Sequence, residues 1–267
     1  MKERLINRIK PGLVVLVTAG ASGIGRVISE TFLAHGCSVH ICDIDQLAID
    51  DFLHDNSNAT ATVADVSAVA DVSRLFEELL RHYGRLDVLI NNAGIAGPTV
   101  PAEEVKPQDW EKTIAVNLSG QFYCCQKAIP MLKDAGGGSI INLASSAGLF
   151  GCPNRAPYAA SKWAVIGLTK TLAMELGPFN IRVNAISPGS VEGPRIEAVI
   201  ASDASEWGVD AETIRKLYTS QISLKRFIQP QEVANLALFL ASDLALGISG
   251  QSLNVDGNTE SLSNIIP

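Results

Sequence analysis

Apolar residues along this chain fall into short continuous runs that alternate with longer stretches where apolar and polar positions recur with a helical period. Residues 13–18 form a continuous run of leucine and β-branched residues and predict a strand. Residues 23–35 read as a helix, 38–43 as a second strand, 59–64 as a third, 67–83 as a helix and 86–91 as a fourth strand. Two longer helices are expected at 107–133 and 156–176. Between them, residues 138–146 open as a buried strand and empty into a loop of small residues. A strand at 181–186, an irregular polar stretch, a helix from Pro230 and a last strand at 252–256 complete the pattern. Such alternation implies right-handed crossovers and a parallel sheet. The expected fold is α/β: a Rossmann-type, doubly wound parallel sheet of about seven strands with helices on both faces.

Composition narrows this further. The chain has 267 residues, of which 47% are hydrophobic, enough for one large core. No repeat or Pro/Ser-rich linker marks a boundary, so one domain, 1–267, is expected, with 1–12 as an N-terminal extension. A net charge of −7 argues against nucleic acid, which needs a basic face. Residues 1–12 carry Lys2, Arg4, Arg8 and Lys10 but no continuous apolar core, and no run approaches membrane-spanning length. The expectation is a soluble, cytoplasmic protein with no membrane partner. Five cysteines, Cys37, Cys42, Cys124, Cys125 and Cys152, suit reduced core thiols; Cys152, close to Tyr158, is the one to test for reactivity.

The candidate chemistry centres on Tyr158 and Lys162. Four residues apart on a helix they share a face, and a nearby cation favours phenolate over phenol, drawing a tyrosine down from about 10. Spacing alone is weak, because Tyr123 and Lys127 repeat it. That second pair lies in the apolar stretch Gln121-Phe122-Tyr123-Cys124-Cys125 and reads as packing. Tyr158 instead follows a strand end bearing Ser145, thirteen residues upstream, and catalytic groups in open α/β sheets gather at such ends. Near the amino terminus, the turn Thr18-Ala19-Gly20-Ala21-Ser22-Gly23-Ile24-Gly25 joins a strand to a helix, where backbone N–H groups can face a pyrophosphate.

Together with Asp65-Val66, Asn91-Asn92-Ala93-Gly94, Asn117 and Pro188-Gly189, all in order, these motifs resemble the classical short-chain dehydrogenase/reductase family over roughly residues 13–257. The resemblance implies an oxidoreductase that interconverts a secondary alcohol and a ketone by hydride transfer. Tyr158 would be the general acid and base, Ser145 a donor to the substrate oxygen, Lys162 a holder of the nicotinamide ribose, and Asn117 the organiser of a relay water. Ser146 competes with Ser145, but the family's spacing prefers Ser145. Cofactor contacts are implied for Gly20, Ser22, Gly23, Ile24, Gly25, Asp43, Asp65, Val66, Asn92, Ala93, Gly94, Tyr158, Lys162, Pro188, Gly189 and Val191. No metal is assigned.

Two departures stand out. Ala19 replaces the family's first glycine, with Gly20 expected to supply the flexibility, and Gly193 replaces a frequent threonine, leaving Ser190 or backbone groups as substitutes. Asp43, closing the second strand, can accept hydrogen bonds from the adenosine ribose and would repel a 2′-phosphate. Ser22 and Ile44 stand where NADP-using relatives carry a basic residue, and Arg26 reads as a surface or packing residue. The cofactor is therefore expected to be NAD.

Residues 191–226 are expected to form a mobile cover over the substrate pocket, mixing apolar and charged positions. Arg155 and Arg195 could meet an acidic substrate group, though solvated arginines or salt-bridge partners are the commoner outcome. The family implies a homotetramer paired through the two long helices, with Phe122, Trp163, Val165 and Leu168 among the apolar positions. Alternatives are an NADPH-type 3-oxoacyl reductase or a non-catalytic NAD-binding family member. A methyltransferase would not need the Ser, Tyr and Lys set. For a hydrolase, residues 20–24 lack the last glycine of a nucleophile elbow.

Overall fold

The computed structural model describes residues 9–262; of the expected N-terminal extension, residues 1–8 lie outside it. Seven parallel strands form one sheet in the order β3-β2-β1-β4-β5-β6-β7. They are β1 (Val14–Thr18), β2 (Ser38–Asp43), β3 (Thr60–Val63), β4 (Val88–Asn91), β5 (Gly138–Leu143), β6 (Ile181–Pro188) and β7 (Ser252–Val255). The order reverses between β1 and β4, the switch point at which ligands of open α/β sheets bind.

The continuous apolar runs exist because both faces of the sheet are covered. Val15 and Val17 point into one layer with Ile28 and Phe32 of α1 (Gly23–Ala34) and Val233 and Leu240 of α9 (Pro230–Ala241). Leu16, between them, points into the other, with Leu75 and Leu79 of α3 (Val69–Tyr83), Leu132 of α5 (Gly120–Asp134) and Leu172 of α6 (Ala156–Leu176).

Three stretches differ from expectation. A short helix, α2 (Gln46–Asp55), follows β2; the Asp45 carboxylate caps it by accepting from the N–H groups of Leu47 and Ala48, while only Ile49 and Phe52 are buried, too thin an apolar stripe to read in advance. The expected helix at 107–133 is α4 (Pro107–Ile114) and α5 joined by a π-helical turn, Ala115–Ser119. Residues 191–226 are not irregular. They form α7 (Pro194–Trp207) and α8 (Ala211–Ser220), which bury Ile200, Ala204, Ile214 and Tyr218 against Ile222 and Phe227. Proline at the first helical position and apolar residues four apart drive this. Among the described residues no helix is long and apolar enough to cross a membrane.

Candidate active site

Because every strand runs the same way, Thr18, Asp43, Asn91, Leu143 and Pro188 emerge together at one end of the sheet. The turn after β1 is built by close approach. A Cβ on Gly25 would lie 2.0 Å from the carbonyl oxygen of Ala19 and 2.5 Å from Asn92 Nδ2; one on Gly20 would lie 2.7 Å from Ile41 Cγ2. The backbone twist that Gly20 was expected to supply is taken by Ala19 itself, at φ 49°, in the left-handed region. Gly20 is needed for space alone.

Asn92 ties the turn to β4: its Nδ2 donates to the carbonyls of Thr18 and Ala19, both at 3.0 Å, and the N–H groups of Asn92 and Ala93 donate to Thr18 Oγ1, also at 3.0 Å. Thr18 is thus a structural keystone that motif reading did not single out. The start of α1 carries no acid in its first turn, and the exposed Ser22 does not cap it with its side chain. A Cβ at Gly23 would meet nothing within 4 Å. An open helix start of this kind fits an anionic pyrophosphate.

Asp43 is buried at the end of β2. Its Oδ1 accepts from the N–H groups of Ile44 and Asp45, and its Oδ2 from Ala21 N–H at 3.4 Å, which brings a carboxylate beside the glycine turn. Arg26 is spent elsewhere: it pairs with Glu30, Asp51 and Asp55 and lies over the Phe52 ring. Asp65 accepts from the N–H and hydroxyl of Ser67, the helix-start role, and remains exposed; Val66 is buried against Gly120. Gly189 presses on Asp256, where a Cβ would lie 2.9 Å away, and Val191 bridges to Ile228.

Ser145, Tyr158, Lys162 and Asn117 converge beyond β5. Ser145 has an extended backbone, is nearly buried, and accepts from Ala147 N–H. Lys162 is buried, donates to the Leu143 carbonyl at 2.7 Å and stands 5.7 Å from the centre of the Tyr158 ring. Burial drives its pKa down to about 8 against the opposing pull of Tyr158. Burial alone would raise the Tyr158 phenol, but Arg195, Lys162, the Ser145 hydroxyl and Arg155 together pull it below the ordinary value. Tyr123, by contrast, packs against the second core layer.

Asn117 sits in the π-helical turn, a rare geometry that concentrates at functional sites. Its amide donates to the Ile95 carbonyl (3.0 Å) and Ser161 Oγ (3.1 Å) and accepts from Ile95 N–H (2.8 Å). Ser161 in turn donates to the Tyr158 carbonyl at 2.7 Å. The sequence hid both Ser161 and Gln121, whose Nε2 donates to the same Leu143 carbonyl as Lys162 at 3.2 Å. The only signal for Ser161 was its position one turn past Tyr158.

Arg155 departs from the commoner expectation, while Arg195 is exposed as expected yet stands close to Tyr158. Arg155 is 8% exposed, not solvated, and Arg195 lies with its guanidinium carbon 5.8 Å from the Tyr158 ring centre. Cys152 is half-buried, and burial raises its thiol pKa despite Arg155, so it is not an activated nucleophile.

The family profile described as enoyl-(acyl carrier protein) reductase matches residues 18–258. A 3-oxoacyl-[acyl-carrier-protein] reductase of Thermotoga maritima is 38% identical over 250 residues, covering 92% of this chain and 97% of that protein. Among solved structures, a tryptophan-substituted actinorhodin polyketide ketoreductase with NADPH superposes with a TM-score of 0.90 at 32% identity, covering 93% of this chain and 97% of the other. The 3-ketoacyl-(acyl-carrier-protein) reductase of Brucella melitensis complexed with NADH gives 0.85 at 33% identity, covering 94% and 99%.

Proposed function

Because the chain belongs to the classical short-chain dehydrogenase/reductase family, we propose that it is a NAD-dependent oxidoreductase interconverting a secondary alcohol and a ketone, with Tyr158 as general acid and base. The observation that carries this is the buried Lys162 ammonium beside the Tyr158 ring, with the Ser145 hydroxyl next to the phenol. The open start of α1, the Gly25 cradle and the Asp43 carboxylate fit a dinucleotide. When bound, the nicotinamide carries the hydride. The residues that would hold it are Gly20, Ser22, Gly23, Ile24 and Gly25 at the diphosphate end, Asp43 at the adenosine ribose, Asp65 and Val66 at adenine, and Asn92, Ala93, Gly94, Lys162, Pro188, Gly189 and Val191 toward the nicotinamide.

In the oxidative direction, the Tyr158 phenolate accepts the alcohol proton while Ser145 donates a hydrogen bond to the same oxygen. In reduction the phenol returns that proton. Lys162, with Arg195, lowers the phenol's pKa and so favours the phenolate, and Asn117 holds the Ile95 and Ser161 side of the site, where it would order a relay water. NAD is favoured over NADP because Asp43 would face a 2′-phosphate and no free cation stands at Ser22 or Ile44.

A homotetramer belongs to the same reading. Phe122 and Trp163 are exposed on the long helices, together with Met174, whereas Val165 is buried and Leu168 is half-buried against the core. The five cysteines are all free, which suits a cytoplasmic, reducing setting. NADH absorbance with a panel of secondary alcohols, run with NAD and NADP in parallel, tests this: turnover with NAD at least roughly tenfold above NADP is expected. Cofactor binding without turnover of any alcohol or ketone would favour the non-catalytic alternative.

A further inference from the structure

The tyrosine is ringed by more positive charge than its chemistry uses. Lys162 belongs to the cofactor and phenolate. Arg195 adds a second cation, its Nη1 donating only a long bond of 3.4 Å to the Gly94 carbonyl. Arg155 adds a third, immediately before the first turn of α6, and its buried Nη2 has no hydrogen-bond partner. Among the described residues neither arginine forms an ion pair within 4.0 Å. Two acids of the lid are engaged elsewhere: Glu192 and Glu197 both bind Arg215. Asp203 accepts from the Tyr218 hydroxyl at 2.7 Å through one oxygen, while its other oxygen is buried without a partner. Asp203 and Glu206 line the same small cavity as Arg155 without forming an ion pair with it.

Both placements run against local physics. Arg195 is the second residue of α7, where the helix's partial positive charge favours an acid and disfavours a cation. A guanidinium as buried as Arg155 with an unsatisfied N–H costs free energy unless an anion completes it. Such violations persist where a ligand resolves them.

We propose that the substrate carries a carboxylate near its reacting carbon, with Arg195 and Arg155 as the receptors for it. The inference rests on the oxidoreductase reading and names its substrate class: hydroxy acids and the corresponding oxo acids, in preference to neutral alcohols. The guanidinium of Arg195, beside the Tyr158 ring, would orient the chain of the substrate so that its hydroxyl faces Tyr158 and Ser145, by the charge-assisted, paired hydrogen bonds arginine makes to carboxylates.

The test uses matched pairs, each hydroxy acid beside its methyl ester, such as 3-hydroxybutanoate and methyl 3-hydroxybutanoate, followed by NADH absorbance. The acid is expected to exceed the ester in kcat/KM by roughly tenfold to a hundredfold, and R195Q and R155Q should each bring that ratio toward one. The ratio cancels any general effect of the arginines on the tyrosine. An ester turned over as well as its acid would overturn the proposal. So would an R195Q variant with an unchanged ratio and a raised KM for NAD, which would assign the guanidinium to the cofactor diphosphate. Calorimetry of butanoate against butanamide on the protein with NAD gives a readout independent of turnover: carboxylate binding weakened at least roughly tenfold in R195Q supports the proposal, and equal binding of the two, or none, refutes it. NADH formation absent for every alcohol, with butanoate still bound through Arg195, would count against the oxidoreductase reading alone.

Discussion

Lys162 and Gln121 end on the same acceptor, the carbonyl oxygen of Leu143, at 2.7 and 3.2 Å. Gln121 is buried, and its own Oε1 has no partner. Gln121→Met keeps the volume, removes the competing donor and leaves the carbonyl to the ammonium. The Lys162 pKa should then rise from about 8, by less than about one unit. The alkaline limb of the kcat/KM profile should move up with it, which a pH series on wild type and variant would read.

Tyr158→Phe removes the proton-transfer group without touching the dinucleotide cradle. Turnover should fall by about 10²-fold to 10⁴-fold with NAD binding retained. Tyr123→Phe, in the twin spacing, should stay near wild type. Phenolate is the form that accepts a proton, so alcohol oxidation should rise with pH through a pKa below the usual tyrosine value, and R195Q should shift that limb upward by removing a cation. The opposite ranking of the two tyrosine variants would discard the site.

Asp43→Ser should lower NAD affinity and raise NADP use, because it removes both the ribose acceptor and the like-charge repulsion. That repulsion is of the order of a hundredfold in affinity. Adding Ile44→Arg should push the preference further. Cofactor KM values for the two variants check this; an unchanged NAD/NADP ratio in Asp43→Ser would mean that Asp43 does not face the ribose.

Ala19→Gly should stabilise the fold. An alanine at φ 49° bears a strain of about 1–2 kcal/mol, partly offset by the extra freedom a glycine gives the unfolded chain, about 0.4–1 kcal/mol. A urea midpoint slightly above wild type is expected, with NAD affinity retained. Gly25→Ala should abolish NAD binding, since its Cβ would meet backbone 2.0 Å away.

His40 is buried on β2, in hydrogen-bond contact with Thr60 and Thr62. Burial, with His82 adding to it, holds its pKa down at about 4, against 6.5 when unperturbed. Between those values the unfolded chain binds more protons, so stability falls as pH drops through that window, by up to about 3 kcal/mol. Urea midpoints from pH 7 to 4 should fall in wild type and fall less in His40→Gln.

The alternation of apolar runs and amphipathic stretches determined the sheet, because strands buried on both faces must be apolar throughout and the helices between them must be apolar on one side only. Motif order likewise located Ser145 and Asp43 at strand ends, and Tyr158 and Lys162 on the helix that follows the Ser145 loop, since a parallel sheet brings all such ends to one edge. Tertiary structure decided what depends on contacts between distant segments. The sequence could not show that Ala19 would accept the strained twist, because that is forced by Gly25 and Asn92 closing on its carbonyl. Nor could it show the π-helical turn at Asn117, which adds a residue to the helix without changing composition. Arg155 looked like a wet surface charge for the same reason, and Arg195, which is exposed, gave no sign of its place beside Tyr158. Only the folding of the lid helix α7 back toward α6 sets one beside the tyrosine ring while the other is buried with an open N–H, since burial and pairing are properties of neighbours far away in the chain.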